Sequence, residues 1–526
     1  MILILDFGSQ YTELIARRIR EINVYSEVMP HTVTAVDIQE KNVTGIILSG
    51  GPSSVGDTDA PKIDPSIFEL SIPILGICYG MQLIANAMGG SVKPSTTREY
   101  GASMLSISGS SKLYQNVPKT INIWMSHSDS VNEIPTGFRS IACTSTCDIA
   151  SFENHDKQIY GIQFHPEVSH TDYGKHIIEN FVLTICKTSQ DWTSDTFIEH
   201  SVKRIQSEVG NQQVLCALSG GVDSAVVAAL LHKAIGDQLT CMFIDTGYMR
   251  LNEGDRIKDV FEKEFNIDLI YVHAHDNFYS KLEGVSEPEK KRKIIGNEFI
   301  RIFEQEVKHL KKDMPFLAQG TLYPDVIESA KFGVTATAQT IKTHHNVGGL
   351  PEDMEFKIIE PLKMLFKDEV RQLGLALGLS EDIVYRHPFP GPGLAIRILG
   401  EPRKDRVKML QMADAIVLDE IKKAGLYRDI WQAFAVLLPV KSVGVMGDQR
   451  TYQNTCAIRC VTSDDAMTAK WAKIPYDVLE SISSRIINEV DGINRVVYDI
   501  SSKPPSTIEL AGVGEGNGEA DAPTND

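Results

Sequence analysis

Short apolar runs alternate with helical patterns through the amino-terminal third of the chain. Residues 2–5, 45–48 and 74–77 are apolar and predict buried strands, and each is followed by a Gly-bearing turn and an amphipathic segment. Such alternation favours a mainly parallel sheet with helices packed on it. We therefore expect an α/β domain over residues 1–189, ending in a polar linker near residues 188–195.

The same alternation then begins again. Residues 214–218, 239–244 and 269–272 predict three more buried strands, and residues 225–235 predict a helix that stops at Gly236. A Gly- and Pro-bearing loop is expected over 318–329, and the Pro- and Gly-rich run 386–393 breaks the pattern. A second α/β domain is therefore predicted over residues 190–385.

The remaining residues predict a smaller domain and a tail. Strand-like runs at 436–440 and 495–500 flank helical patterns, which indicates a small α+β domain over 386–509. Residues 510–526 carry no basic or aromatic side chain, and we expect a disordered acidic tail there. The predicted fold class is thus α/β, with two doubly wound, mainly parallel-sheet domains followed by a small α+β domain.

Composition and charge narrow the class of protein. Of the 526 residues, 42% are hydrophobic and 23% are charged, which is ordinary for a soluble globular protein. The net charge of −17 argues against broad nucleic-acid binding, because phosphate contact needs clustered positive charge. The uncharged stretch 70–92 is broken by Gly, Pro and Asn, and the first residues lack the pattern of a signal peptide, so no membrane partner is expected.

Eight cysteines in so long a chain indicate reduced thiols and a cytoplasmic location rather than a disulfide framework. Cys143 and Cys147 have a spacing that zinc knuckles use, but packed thiols are the simpler interpretation.

One cysteine lies in a pattern that carries chemistry. Gly76-Ile-Cys78-Tyr-Gly80 follows a predicted strand and precedes a helix, as in the thiol form of a nucleophile elbow. His165 and Glu167 are two residues apart, so that in an extended segment they can project to the same side. Cysteine, histidine and carboxylate are the parts of a nucleophilic triad.

The turn after residues 45–48 can supply an oxyanion donor, the N–H of Gly51, beside the N–H of Tyr79. With these motifs the first domain resembles the class I glutamine amidotransferases. The resemblance implies that Cys78 is the nucleophile, His165 the general base and acid, and Glu167 its orienting partner. It also implies that Gly51, Tyr79 and Gln82 surround the glutamine amide and the oxyanion. His127 is interpreted as structural, because the triad is already filled.

The second domain opens with a Gly-rich loop. In Ser219-Gly220-Gly221-Val-Asp223-Ser224, backbone N–H groups and hydroxyls at a helix N-terminus suit an anion. The carboxylate of Asp223 suits Mg²⁺ bridging to a pyrophosphate, and the Lys-Ser/Thr end of a Walker A loop is missing. The loop resembles that of the N-type ATP pyrophosphatases, which implies ATP binding by Ser219, Gly220, Gly221, Val222, Asp223, Ser224, Ala225 and Lys363, with Mg²⁺ on Asp223 and no organic prosthetic group.

Longer motifs extend the resemblance over nearly the whole chain. Residues 291–296, 318–329, 343–346, 386–394, 442–448 and 495–505 are similar to those of the glutamine-hydrolysing GMP synthase family. The resemblance implies glutamine, ATP and XMP as substrates, adenylation of XMP and a C-terminal dimerisation domain in a homodimer. It implies XMP contacts at Arg292, Gln432, Lys503, Ile508 and Glu509. The family usually ends in Ile-Glu-Trp-Glu, whereas here Leu510 and further residues follow Glu509.

Two alternatives remain open. The same ATP loop could serve another acceptor, and a non-catalytic scaffold is conceivable, although Cys78, His165, Glu167 and Asp223 are all present. The pair His344 and His345 is interpreted as part of a lid rather than as a metal site.

Overall fold

A computed structural model describes residues 1–309, 314–331, 356–446, 448–463 and 468–510. The chain divides into two compact units, Met1–Phe197 and Ile198–Asp526. The predicted lid histidines, 344 and 345, and the predicted tail beyond Leu510 lie outside the described residues.

The first unit contains a nine-stranded sheet with one parallel and one antiparallel half. Its order is β2-β1-β3-β4-β9-β8-β7-β5-β6. The first five strands in this order pair in parallel, and every pair from β9-β8 onward is antiparallel. The three strands predicted at its start are present, because β1, β3 and β4 are almost wholly buried apolar runs. The strands are β1 (Ile2–Asp6), β2 (Ser26–Pro30), β3 (Gly45–Leu48), β4 (Ile74–Ile77), β5 (Ser91–Ile107), β6 (Thr120–Glu133), β7 (Arg139–Cys143), β8 (Ser151–Asn154) and β9 (Ile159–Ile162).

The helices of this unit follow the parallel strands. α1 shows the expected amphipathic pattern, with Ile15 and Ile19 buried and Arg17 and Arg18 in its last turn. The helices are α1 (Thr12–Arg20), α2 (Ala35–Gln39), α3 (Tyr79–Ala87) and α4 (Gly174–Glu179), which continues as a π-helix over Asn180–Ile185; short 3₁₀ turns cover Pro65–Glu69 and Lys112–Tyr114.

The second unit holds two sheets. A wholly parallel five-stranded sheet has the order β12-β11-β10-β13-β14, and in a smaller sheet β16 pairs antiparallel with β15 and β17 and parallel with β18. The strands are β10 (Val214–Leu218), β11 (Leu239–Asp245), β12 (Asp268–His273), β13 (Phe316–Ala318), β14 (Lys357–Ile359), β15 (Gln432–Met446), β16 (Gln449–Thr462), β17 (Lys470–Trp471) and β18 (Ile493–Tyr498).

One hydrophobic core runs through this unit and includes side chains from both sheets, such as Leu215 and Ala435. Its helices are α5 (Ser194–Val209), which contains the division between the units, α6 (Val222–Ile235), α7 (Glu253–Lys258) with a π-helix over Asp259–Glu264, α8 (His275–Lys281), α9 (Pro288–His309), α10 (Tyr323–Lys331), α11 (Lys367–Ala376), α12 (Glu381–Val384), α13 (Lys404–Lys423) and α14 (Tyr476–Glu489), with 3₁₀ turns at Gly236–Gln238 and Gly393–Ile396.

The predicted α/β class is confirmed, but the loop predicted over 318–329 is wrong. Ala318 ends β13, and α10 begins at Tyr323. Pro324 stands in the first turn of that helix, where a missing N–H is tolerated, and the Asp325 carboxylate accepts a hydrogen bond of 2.9 Å from the N–H of Leu322. The proline thus begins a helix instead of breaking one. Within the described ranges, no helix combines the length and apolar character needed to span a membrane.

Candidate active sites

The first candidate site is built on the turn between β4 and α3. Cys78 stands at this turn with φ of +52°, a conformation that residues other than glycine rarely adopt. A Cβ atom on Gly76 would lie 2.5 Å from the backbone of Gly80, and one on Gly80 would lie 2.3 Å from the carbonyl oxygen of Leu48. The two glycines therefore permit the sharp turn, which places the thiol at the N-terminus of α3.

His165 and Glu167 follow β9, the strand next to β4. Nδ1 of His165 lies 2.7 Å from Oε1 of Glu167, and both side chains are buried. Burial alone would lower the pKa of His165, but the Glu167 carboxylate and a hydrogen bond with Cys78 raise it well above its ordinary value. The arrangement can hold a protonated imidazole beside the sulfur, as a cysteine nucleophile with a histidine partner requires.

Gly51, Tyr79 and Gln82, the other residues predicted for this site, line the same cavity as Cys78 and His165. The volume of this cavity is about 340 Å³. Gly51 has no space for a side chain, because a Cβ atom there would lie 2.7 Å from the carbonyl oxygen of Phe7. The side-chain amide of Gln82 donates to the carbonyl of Asp129 at 2.8 Å, which fixes its orientation at the cavity wall. The structure thus brings together the predicted Cys78, His165, Glu167, Gly51, Tyr79 and Gln82.

Sequence reasoning missed several neighbours of the thiol. The Gln163 amide nitrogen lies 3.7 Å from Sγ of Cys78, and the Ser126 carbonyl accepts from Sγ at 3.6 Å. The ring of Tyr11 packs edge-on against His165, with 5.1 Å between ring centres. Gln163 stands two residues before His165, so its position at the end of the strand was the available signal. Ser126 and Tyr11 themselves belong to no motif that indicated chemistry.

His127 lines this cavity, and both of its ring nitrogens contact other groups of the protein. Its Nδ1 lies 2.9 Å from the carbonyl oxygen of Asp129, and its Nε2 lies 2.9 Å from Oε2 of Glu99. Both ring nitrogens are therefore engaged within the protein, which agrees with a structural role.

The second candidate site surrounds the Gly-rich loop between β10 and α6. Gly220 has φ of +75°, and Gly221 is the extended residue that precedes the helix. The Ser224 hydroxyl accepts from the N–H of Ser219 at 3.2 Å and donates to the carbonyl of Gly221 at 3.1 Å. The side chains of Val222 and Ala225 are buried beneath the loop. These contacts preshape a helix N-terminus for an anion.

Asp223 forms an ion pair that the sequence did not reveal. Nζ of Lys367, at the start of α11, lies 2.7 and 2.6 Å from the two carboxylate oxygens of Asp223. Lys363, the lysine chosen from the sequence, is exposed four residues earlier. A partly exposed carboxylate beside an anion-shaped loop fits Mg²⁺, which proteins usually hold through one or two carboxylates together with substrate phosphates.

A cavity of about 790 Å³ lies beside this loop at the carboxyl ends of β10 and β11. Open parallel sheets bind ligands at that edge. Ser219 and Ser224 line the cavity together with Phe243 and Arg292. Arg292 also forms an ion pair of 3.0 Å with Glu289. Of the residues predicted to contact XMP, Arg292 is thus placed beside the loop.

The other four predicted contacts are not among the described residues lining that cavity. Gln432 is buried and donates to the carbonyl of Pro388 at 2.8 Å. Glu509 binds Arg397, with 2.8 Å between Oε1 and Nη2, and Ile508 packs near Phe434. The N–H of Lys503 donates to the carbonyl of Ala469 at 2.8 Å. Gln432 is the first residue of β15, and Lys503 forms an isolated bridge with Ala469, just before β17.

Three family models match the chain. "Glutamine amidotransferase class-I" covers residues 3–185, "Phosphoadenosine phosphosulfate reductase domain" covers 213–317, and "GMP synthase C terminal domain" covers 419–510.

Curated relatives match it almost from end to end. The glutamine-hydrolysing GMP synthase of Brachyspira hyodysenteriae is 58% identical over 508 residues, which cover 97% of this chain and 98% of the relative. The protein of the same name from Oceanobacillus iheyensis is 58% identical over 509 residues, which cover 97% and 99%. That from Bacillus velezensis is 57% identical over 509 residues, which cover 97% and 98%.

Proposed function

The chain belongs to the family of the glutamine-hydrolysing GMP synthases, and we propose that Cys78 releases ammonia from glutamine while the 219–225 loop holds the ATP that activates XMP. The enzyme converts XMP, ATP, glutamine and water to GMP, AMP, pyrophosphate and glutamate. The observation that carries the residue assignment is the buried 2.7 Å contact between His165 and Glu167 in the cavity of the Cys78 thiol.

The glutaminase half follows from the geometry around the thiol. The sulfur of Cys78 attacks the carboxamide carbon of glutamine, and the N–H groups of Gly51 and Tyr79 stabilise the oxyanion that forms. His165 transfers a proton to the departing nitrogen, so that ammonia leaves and a thioester remains. Water activated by the same imidazole then releases glutamate and restores the thiol. Glu167 orients the ring and stabilises its protonated form.

The synthetase half takes place at the Gly-rich loop. The C2 oxygen of XMP attacks the α-phosphorus of ATP, and pyrophosphate leaves toward the N–H groups at the start of α6. Mg²⁺, when bound at Asp223, would neutralise charge on the departing pyrophosphate. Ammonia then displaces AMP from C2, which gives GMP. Both halves are needed. Adenylation turns the C2 oxygen into a leaving group, and glutamine hydrolysis supplies the ammonia that replaces it.

Arg292 is the basic residue best placed for the 5′-phosphate of XMP, because it lines the cavity beside the loop. Lys503 remains a proposed contact of the same phosphate, Gln432 and Glu509 remain proposed contacts of polar base or ribose groups, and Ile508 remains a proposed XMP contact. Since Glu509 is bound to Arg397 at 2.8 Å, its carboxylate would reach a ribose hydroxyl only through a change in that ion pair.

A homodimer through the smaller sheet is part of this proposal. β15 and β16 expose Val440, Val443, Val445 and Tyr452, an apolar set on a long two-stranded ribbon that pairing would cover.

We further propose domain boundaries at 1–189, 190–385 and 386–509, a separate acidic tail over 510–526, and a cytoplasmic location in keeping with eight free cysteines.

Two variants separate the halves. Cys78→Ala should abolish GMP formation from glutamine and leave formation from added ammonium intact, whereas Cys143→Ala, a matched control, should keep both. Asp223→Asn should stop XMP-dependent pyrophosphate release and leave the thiol of Cys78 reactive. Equal loss of both activities in Cys78→Ala, or normal pyrophosphate release in Asp223→Asn, would reject the assignment.

A further inference from the structure

Three side chains of metal-ligating types meet at the carboxyl edge of the five-stranded sheet, where Ile244 and Thr246, the neighbours of Asp245 in the sequence, line the 790 Å³ cavity. Asp245 ends β11 and His273 ends β12, and the two residues are direct partners in the parallel register. Their side chains therefore leave the sheet on the same side. His275 begins α8 two residues later. One donor atom from each of the three lies within 4.8 Å of the other two.

The carboxylate in this group is held in place by its surroundings. The N–H of Gly247 donates to Oδ1 of Asp245 at 2.9 Å, and the Tyr271 hydroxyl donates to Oδ2 at 2.7 Å. These two donors therefore fix the orientation of the carboxylate, whose Oδ2 lies 2.9 Å from Nε2 of His275.

One imidazole nitrogen of the group lacks a well-formed hydrogen bond. Nε2 of His275 is buried and lies 2.9 Å from Oδ2 of Asp245, yet that oxygen lies off the direction of an N–H bond. A buried polar atom without a directed partner requires an explanation, and an ion between the groups is one. His273 is exposed, so its ring can turn toward the same point.

We propose that Asp245, His273 and His275 bind a divalent transition-metal ion, with Zn²⁺ as the representative occupant. Two imidazoles and one carboxylate suit the first-row metals, and water would fill the remaining positions. Donor atoms around a tetrahedral ion lie about 3.4 Å apart at metal–ligand distances of about 2.1 Å. Asp245 and His275, now 2.9 Å apart, would separate by about 0.5 Å, and rotation of His273 would complete the site.

A second group in the first unit provides a contrast. Glu99, His127 and Cys147 are equally close, but Nε2 of His127 faces Oε2 of Glu99 at 2.9 Å and Nδ1 is bound to a carbonyl. The Glu99 carboxylate also accepts from Thr144 at 3.3 Å. This buried group is satisfied by its own hydrogen bonds, and it offers no undirected nitrogen.

The test measures Zn²⁺ binding to the full-length, chelator-stripped protein by competition with a coloured chelator. All proteins carry Cys78→Ala, because the thiol and imidazole of the glutaminase site could themselves hold zinc. In this background His273→Asn and His275→Asn should each weaken binding of one Zn²⁺ at least about tenfold. His155→Asn, at an exposed turn of the first unit, should not change it.

Tyr271→Phe, which removes a hydrogen bond to the carboxylate, should weaken binding about tenfold without removing a ligand. X-ray absorption of the bound zinc should show nitrogen and oxygen neighbours, including imidazole scattering. Absence of Zn²⁺ binding by the parent protein, equal binding by the two histidine variants and the control, or sulfur neighbours of the zinc would each overturn the proposal.

Discussion

The ammonium group of Lys367 lies 2.6 and 2.7 Å from the two carboxylate oxygens of Asp223, the residue that we propose as the Mg²⁺ ligand beside the Gly-rich loop. A Mg²⁺ ion bound to these oxygens would repel the ammonium group that now contacts both of them. Binding of Mg²⁺ and ATP would therefore release Lys367 toward the phosphates, for which an ammonium is a suitable partner.

Lys367→Met should raise the KM for ATP in ammonium-driven GMP synthesis about 10- to 100-fold, since hydrogen bonds to charged groups are worth about 1.5–3 kcal/mol. Glutamine hydrolysis at Cys78 should not depend on this lysine. Lys363→Met is the matched variant for comparison, and the KM for ATP of both variants is measured by pyrophosphate release. A large effect of Lys363→Met with none of Lys367→Met would show that the pairing with Asp223 is only a surface ion pair.

Glu167→Gln should shift the pH dependence of glutamine hydrolysis. The carboxylate stabilises protonated His165, so its removal lowers the pKa of that imidazole. The alkaline limb of kcat/KM for glutamine, where the imidazolium loses its proton, should move to lower pH. The activity should also fall by one or more orders of magnitude, roughly as for other triads that lose their carboxylate. An alkaline limb at an unchanged pH would contradict the assigned role.

His387 should make the second unit sensitive to acid. Its Nδ1 accepts from the N–H of Ala433 at 3.2 Å, and its Nε2 donates to the carbonyl of Tyr427 at 2.8 Å, so the ring is neutral. Burial lowers the pKa of His387 to about 4. The unfolded chain takes up this proton near pH 6.5 and the folded chain only near pH 4. The contribution of the neutral ring to the free energy of unfolding is therefore fully present above about pH 6.5. It falls by up to ~3 kcal/mol as the pH drops toward 4.

Urea unfolding at several pH values measures this dependence. His387→Gln should be less stable at neutral pH and should lose less stability on acidification, whereas His155→Gln at an exposed turn should behave as the parent protein does. An identical acid dependence in His387→Gln would exclude this histidine as its source.

Lys291→Met should destabilise the second unit by about 2–4 kcal/mol. The buried ammonium donates to the carbonyls of Ala395, Ile398 and Gly400 at 3.0, 2.7 and 2.6 Å, and methionine leaves these acceptors without that donor. Lys290→Met removes an exposed neighbour and should change stability by less than about 0.5 kcal/mol. Comparable urea midpoints for the two variants would show that the buried contacts contribute little.

The sequence predicted those parts of the molecule in which local pattern determines structure. Apolar runs located β3, β4 and β10 to the residue, because each is buried on both faces of a parallel sheet. The thiol, the imidazole and the carboxylate that meet in the first candidate site were also predicted, since the spacing of His165 and Glu167 and the glycines beside Cys78 are local signals.

What the sequence left out depends on contacts between distant residues. Lys367 meets Asp223 across 144 positions, and Lys291 reaches carbonyls more than 100 residues away. A lysine has the same appearance in a sequence whether it is solvated or buried against carbonyls. The pairing of Asp245 with His273 likewise follows from the register of two strands, which no short motif records.

The positive φ of Cys78 is unfavourable for folding but suits the proposed reaction. Glycine adopts such a backbone with little strain, whereas another residue there costs about 1–3 kcal/mol. Folding alone would thus favour glycine at position 78, and the chain keeps a cysteine. The backbone strain at position 78 agrees with the nucleophilic role that we propose for Cys78, and the closely packed strands around the turn supply the rigidity that maintains it.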